Sequence, residues 1–181
     1  QEAATIADEI GFRRRWEEAG ICVLYAQYFL GESHIADQHS AAVARSAKGR
    51  APRHALWATA ARGFFAVELS DLDRAHTFHE EAVRIAQQDG IESLDLLICD
   101  ALAAQIALNQ GRIDEAAEKA IRTLEALEAL PPVIFEVCTT VISVQEALVR
   151  VYIERARQPS GGDPQARRAA LRACKVATAF T

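Results

Sequence analysis

The sequence predicts an all-α fold of antiparallel helix pairs, each about 40 residues long, and three observations carry that expectation. The first is self-similarity. Glu2-Ala3-Ala4-Thr5-Ile6-Ala7-Asp8-Glu9-Ile10-Gly11-Phe12 and Glu81-Ala82-Val83-Arg84-Ile85-Ala86-Gln87-Gln88-Asp89-Gly90-Ile91 share the pattern E-A-x-x-I-A-x-x-x-G-apolar, 79 residues apart, and Ala41-Ala42-Val43-Ala44-Arg45-Ser46-Ala47-Lys48-Gly49 is a weaker copy midway between them. The second is composition: a chain rich in Ala, Leu, Glu and Arg, with only nine Gly and five Pro, favours helix over sheet. The third is periodicity, since Leu72, Ala75, Phe78 or His79, Ala82, Ile85 and Ala86 fall on one helical stripe. A unit of about 39 to 41 residues cannot bury its apolar face alone, so the pairs are expected to stack into a right-handed solenoid.

Taken in order, residues 2–10 read as the end of a helix capped by Gly11. A first pair follows, with helices over 13–30 and 34–47 broken at Gly31-Glu32. Gly49 and Pro52 mark the next boundary, Pro52 being suited to a first helical turn. The second pair covers 53–69 and 72–88, broken at Ser70-Asp71, and the third covers 92–109 and 113–129, broken at Gly111. Pro131-Pro132 then forces a stop, because neither residue can donate a backbone hydrogen bond. The fourth pair is irregular: a longer helix over 133–156, a loose connector at Gln158-Pro159-Ser160-Gly161-Gly162, and a restart at Asp163-Pro164. With no linker long enough to divide the chain, it reads as one domain over 1–181: the end of a preceding repeat at 1–11, pairs at 12–49, 50–90 and 91–130, and the irregular pair at 131–181.

Bulk properties exclude several classes of function. A formal charge of −5 disfavours general nucleic-acid binding, which needs a basic surface. The one basic run, Arg13-Arg14-Arg15, precedes Glu17-Glu18 and reads as a solvated helix start. No apolar stretch is long enough to span a membrane, and no signal peptide precedes the first helix. Cys22, Cys99, Cys138 and Cys174 stand singly on expected helices, consistent with small buried residues in a reducing, cytoplasmic setting. There is no methionine and Gln1 already falls inside a helix, so the chain is expected to be a piece of a longer protein. On that expectation its ends expose apolar surface, and a homodimer formed through them would be a truncation artefact.

The pairs resemble tetratricopeptide repeats. That pattern wants a small residue in the first helix, a glycine-like turn, and alanines at fixed spacing in the second. Gly63, Ala75 and Ala82 fill the small positions of the second pair; Ala104, Gly111 and Ala116 fit in the third, with Thr123 at the last small position. The first pair keeps Gly31 and Ala36 but has Leu24 and Val43 where small residues are expected, and the longer spacing implies longer helices. A narrower resemblance, carried by Arg14-Arg15-Trp16-Glu17-Glu18-Ala19, Tyr28-Phe29-Leu30-Gly31-Glu32, Leu130-Pro131-Pro132, Val151-Tyr152-Ile153-Glu154 and Ala169-Ala170-Leu171-Arg172-Ala173-Cys174-Lys175, is to the C-terminal repeats of large bacterial proteins. In these a class III adenylate or guanylate cyclase domain is followed by a signalling ATPase. The resemblance implies a non-catalytic scaffolding or regulatory tail; the alternative is a stand-alone adaptor.

No G-x-x-x-x-G-K-[ST] loop, G-x-G-x-x-G strand–helix turn or G-x-S-x-G elbow occurs, so no enzymatic activity or cofactor is assigned to these residues. His76 and His79, at i, i+3, could face one metal, but packing at a stripe edge explains each, and no metal site is assigned. His34, His39 and His54 are given no role. The expected partner is a protein or peptide, including other domains of the same polypeptide. In tetratricopeptide arrays the first helices line a concave groove, and the turn register puts Tyr25, Tyr28, Phe29, Trp57, Phe64, Gln105 and Asn109 there. Aromatic residues bury large areas at small rotamer cost, which suits them to anchoring a partner. Few cations accompany them, which speaks against a clamp for acidic tails. Packing of the same aromatics between neighbouring pairs stands as the competing explanation.

Overall fold

A computed structural model describes residues 5–6, 11–91, 93–129, 139–157, 168 and 171–172. These residues are all-helical, with no strand among them: α1 (Arg13–Phe29), α2 (Ser33–Ala47), α3 (Pro52–Glu68), α4 (Leu72–Asp89), α5 (Ser93–Asn109), α6 (Ile113–Glu128) and α7 (Thr139–Arg157). From α1 to α6 every end falls within one residue of the position expected from sequence. The Pro131-Pro132 stop, the connector at 158–162 and the Asp163-Pro164 restart lie outside the described residues, as do Cys138 and Cys174. Among the described residues no helix is long and apolar enough to cross a membrane.

The same tight turn closes α1, α3 and α5. In the first, the Gly31 N–H donates to Tyr28 O and the Glu32 N–H to Gln27 O, both at 2.9 Å; Ser70–Val67 (2.9 Å) with Asp71–Ala66 (2.8 Å), and Gly111–Leu108 with Arg112–Ala107 (both 2.9 Å), repeat the pattern. This is the Schellman arrangement, which satisfies the last helical carbonyls and needs one residue at positive φ. Gly31 (77°), Ser70 (60°) and Gly111 (76°) supply it, and Ser70 is the one described non-glycine residue in that region. The residue after each turn is the N-cap of the following helix, but only Asp71 caps with its side chain, accepting from the Arg74 N–H at 3.2 Å.

Contacts cluster into two compact units, Gln1–Leu96 and Leu97–Thr181, the division falling within α5. In the first unit α3 packs against α1, α2 and α4. It is accordingly buried around most of its circumference, from Ala55 and Leu56 through Phe64, Phe65 and Val67. Ile21, Leu24, Tyr25, Ala36, Val43, Ala58, Ala61 and Phe65 form a shared cluster, with Trp16, Tyr28 and Trp57 packed on its margin. The expected small residues Gly63, Ala75 and Ala82 are all buried. In the first pair Leu24 and Val43 are buried despite their size, and the compensation lies at Gly20. A Cβ there would meet Val43 Cγ2 at 2.7 Å. Thus α1 supplies the missing volume one turn before the expected position.

In the second unit, Ala104, Ala116 and Thr123 are buried, and the Thr123 hydroxyl donates to Lys119 O at 2.9 Å, which satisfies its polarity without a partner from another helix. Ala116, Ala120, Leu124 and Leu127 give α6 its interior face, and α7, which packs against α6, buries Ala147, Leu148, Val151 and Tyr152.

Two predictions follow from this geometry. Ser70→Gly should relieve the left-handed strain and stabilise the fold by about 0.5–1 kcal/mol, whereas Gly31→Ala should cost about 1 kcal/mol; urea midpoints would check both. Gly20→Ala should destabilise by about 1–3 kcal/mol through overpacking, and Val43→Ala should suppress that cost in the double variant. Strictly additive losses would show that the Gly20–Val43 approach is not what sets the α1–α2 spacing.

Candidate interaction surface

The seven residues expected to line a groove divide by burial. Tyr25 (3% exposed), Phe64 (6%) and Gln105 (4%) are interior. Tyr28 and Trp57 are half-buried, while Phe29 and Asn109 are exposed. The first unit brings Tyr28 close to Phe65 (ring centroids 5.3 Å) and to Phe29 (5.4 Å, edge-on), and packs Tyr28 and Trp57 on the cluster that contains Tyr25. In the second unit, the Asn109 side chain donates to the Gln105 carbonyl at 2.9 Å. The interior positions serve packing, the competing explanation raised by the sequence.

Ile6 and Phe12 are exposed near the start of the first unit, and its other exposed apolar side chains gather at the Schellman-turn end. Phe29 (51% exposed) and Leu30 (76%) close α1, Ile35 (43%) opens α2, and Leu69 (49%) closes α3. The Tyr28 hydroxyl, 3.5 Å from Glu68 Oε1, links the ends of α1 and α3 beneath them. The helical period hides the difference between Tyr28 and Phe29: both are aromatic and adjacent, but only one side of α1 faces the core.

The polar groups that position these helices were not legible as a set. Glu17 is fully buried. One carboxylate oxygen accepts from the Ser46 hydroxyl (2.7 Å) and from Arg50; the other lies 3.1 Å from His54 Nδ1. Burial opposes ionisation, but the hydrogen bonds from Ser46 and His54 and the adjoining Arg50 and His54 side chains outweigh it, holding the Glu17 carboxyl below the usual glutamate range. Asp37 behaves alike: burial is outweighed by Arg62 (2.8 Å) and Arg74 (2.9 Å), and its carboxyl is held below the usual aspartate range. Asp95, also buried, accepts from Arg53 Nε and Trp57 Nε1, both at 2.8 Å. His54, given no role from sequence, and Glu17, read as part of a solvated helix start, are thus the two ends of a buried contact. Glu18 does keep the solvated role, pairing with Arg14 (3.0 Å) and Arg15 (2.7 Å).

His76 and His79 are half-buried on α4, and no group of three or more His, Cys, Asp or Glu side chains among the described residues is arranged to hold a metal ion. Of the cysteines expected to be small buried residues, Cys99 is buried but Cys22 is exposed, so that expectation fails at Cys22. Compared with known proteins, the chain matches no family model, no curated protein and no solved structure.

The Glu17 cluster makes a signed prediction. Because its native pKa is lowered, its contribution is complete above the ordinary glutamate pKa and is lost as pH falls through the native value. Glu17→Gln should therefore cost on the order of 2–3 kcal/mol at neutral pH. The gap from the parent protein should narrow as pH drops below about 4.5, measured by urea unfolding across that range. A gap that stays constant with pH would show that the carboxylate's charge contributes nothing.

Proposed function

We propose that this chain is a non-catalytic protein–protein interaction module of tetratricopeptide-like repeats, acting as the regulatory or scaffolding tail of a larger bacterial signalling ATPase or nucleotide cyclase. The observation that carries the reading is the recurrence of one turn: the positive-φ residues Gly31, Ser70 and Gly111 stand 39 and 41 residues apart, each with the same pair of backbone hydrogen bonds. Identical turns at near-constant spacing are what a stack of helix pairs requires, and such stacks produce extended surface. The tail assignment rests on the resemblance of segments 14–19, 28–32 and 151–154. The exposed apolar residues Phe29, Leu30 and Leu69 support the interaction role, since clustered exposed hydrophobics mark association sites.

The test is titration of the full parent polypeptide's nucleotide-binding domain, expressed separately, with this chain, followed by calorimetry. Binding at about micromolar strength is expected, weakened at least about tenfold by Phe29→Asp with Leu30→Asp. Both side chains are largely exposed, so the thermal midpoint should barely move. A reading frame that encodes no such domain would remove the tail assignment and favour the adaptor. Binding unaffected by the double substitution would remove this apolar end from the interface.

A further inference from the structure

Most cations of the first unit are ion-paired, and those that are not are grouped. Every described arginine and lysine there has a carboxylate partner except Arg13, Arg45 and Lys48. Those three line two clefts that share Arg45. One, of about 420 Å³, lies between α2, α3 and α4; Ala41, Ala44, Pro52 and Ala55 give it an apolar floor. Arg45 and Lys48 border it on the α2 side, the Thr59 hydroxyl on α3, and Arg84, Glu81 and Asp89 on α4. The other, of about 560 Å³ and open to solvent, is bounded by Arg13 and Trp16 of α1, Arg45 and Ser46 of α2, and Arg50.

Helix electrostatics account for part of this. Arg45 and Lys48 close α2, where cations interact favourably with the terminal carbonyls. Arg13 opens α1, where a cation is disfavoured, and no acidic residue occupies that first turn to offset it. A negative group bound beside Arg13, Trp16 and Arg45 would offset this. The chain as a whole carries −5, which disfavours a long polyanion such as nucleic acid. Two adjoining open clefts with an apolar floor and spaced cations fit an extended ligand carrying several single charges.

We propose that the Arg13–Arg45–Lys48 surface binds an acidic peptide segment of a partner protein, its carboxylates on these cations and its apolar side chains on Trp16 and the alanine floor. The site rests on the interaction-module reading and specifies the partner's chemistry. It lies at the end of the first unit opposite Phe29 and Leu30, because α1 and α2 run antiparallel about the Gly31 turn.

The experiment uses the full chain and a fluorescently labelled peptide of about ten residues alternating Glu and Leu, read by anisotropy against its Gln–Leu counterpart and against tripolyphosphate as competitor. Expected are binding of the Glu peptide alone, weakening with salt, and a loss of at least about tenfold in Arg45→Glu with Lys48→Glu. Equal binding of the Gln peptide, or indifference to the charge reversals, would overturn the proposal. So would tripolyphosphate displacing the peptide at equal or lower concentration, which would mark a general anion site. The reversed residues are exposed and unpaired, so circular dichroism should show an unchanged melting curve; a variant that fails to fold is replaced by Arg13→Gln with Arg45→Gln, read in the same way. If the peptide fails while the parent domain still binds the unmodified chain, the acidic-segment proposal falls and the interaction reading stands. Loss of both would remove the two together.

Discussion

The first unit depends on α3 being buried nearly all round while still carrying polar groups that must find partners. Arg53, His54 and Arg62 each meet a carboxylate from a different element: Asp95, Glu17 of α1 and Asp37 of α2. The Glu17 and Asp95 carboxylates are buried, and leaving either without its partner would cost several kcal/mol, so these pairings admit few alternative packings. Apolar contact alone would not discriminate so sharply, because α3 offers alanine or phenylalanine surface in most directions. The three pairs therefore fix the rotation of α3 about its axis, and with it which side chains reach the surface. Arg62 also lies over Phe78, 4.2 Å from the ring centroid, so the cation that fixes α2 is itself held by α4.

How far this was readable from the chain differs by level. Helix ends were legible because local chemistry marks them: glycine at positive φ, proline in a first turn, and an aspartate that caps its own helix. Burial of Ala75 and Ala82 was legible from periodicity, and that of Ala36 from the resemblance to tetratricopeptide repeats. The carboxylate pairs were not, because Glu17 and Arg50 are separated by 33 residues and nothing local distinguishes Glu17 from Glu18. One turns inward and the other outward by a rotation of about 100° along the helix. The seven candidate groove residues failed to behave as one set for a related reason. A register taken from turn residues counts positions along α1 and α3, but which of Tyr25, Tyr28 and Phe29 reaches solvent depends on how neighbouring helices sit against them.

Gly20 and Ser70 show how one backbone geometry is reached with different residues. At Ser70 a non-glycine residue makes the same turn hydrogen bonds as Gly31 and Gly111, at a local conformational cost. In the first pair a large Val43 stands where a small side chain is expected, and the opposing helix gives up its own side chain at Gly20. Close packing makes the volume of a contact the constrained quantity, with its division between the two helices left free.

That freedom does not extend to the ends of the helices, which carry different chemistry. The turn end of the first unit presents Phe29, Leu30 and Leu69; the other end gathers the cations Arg13, Arg45 and Lys48, with Phe12 beside them. A helix of 17 residues such as α1 separates them by about 25 Å. A partner that uses the whole unit must present an apolar element and an acidic one at that distance, and the span between the two contacts would set its orientation on this chain. Neither end alone could do so, because apolar burial is non-directional and exposed charge pairs are weak; specificity would arise from their fixed separation on a helix whose rotation is set from within.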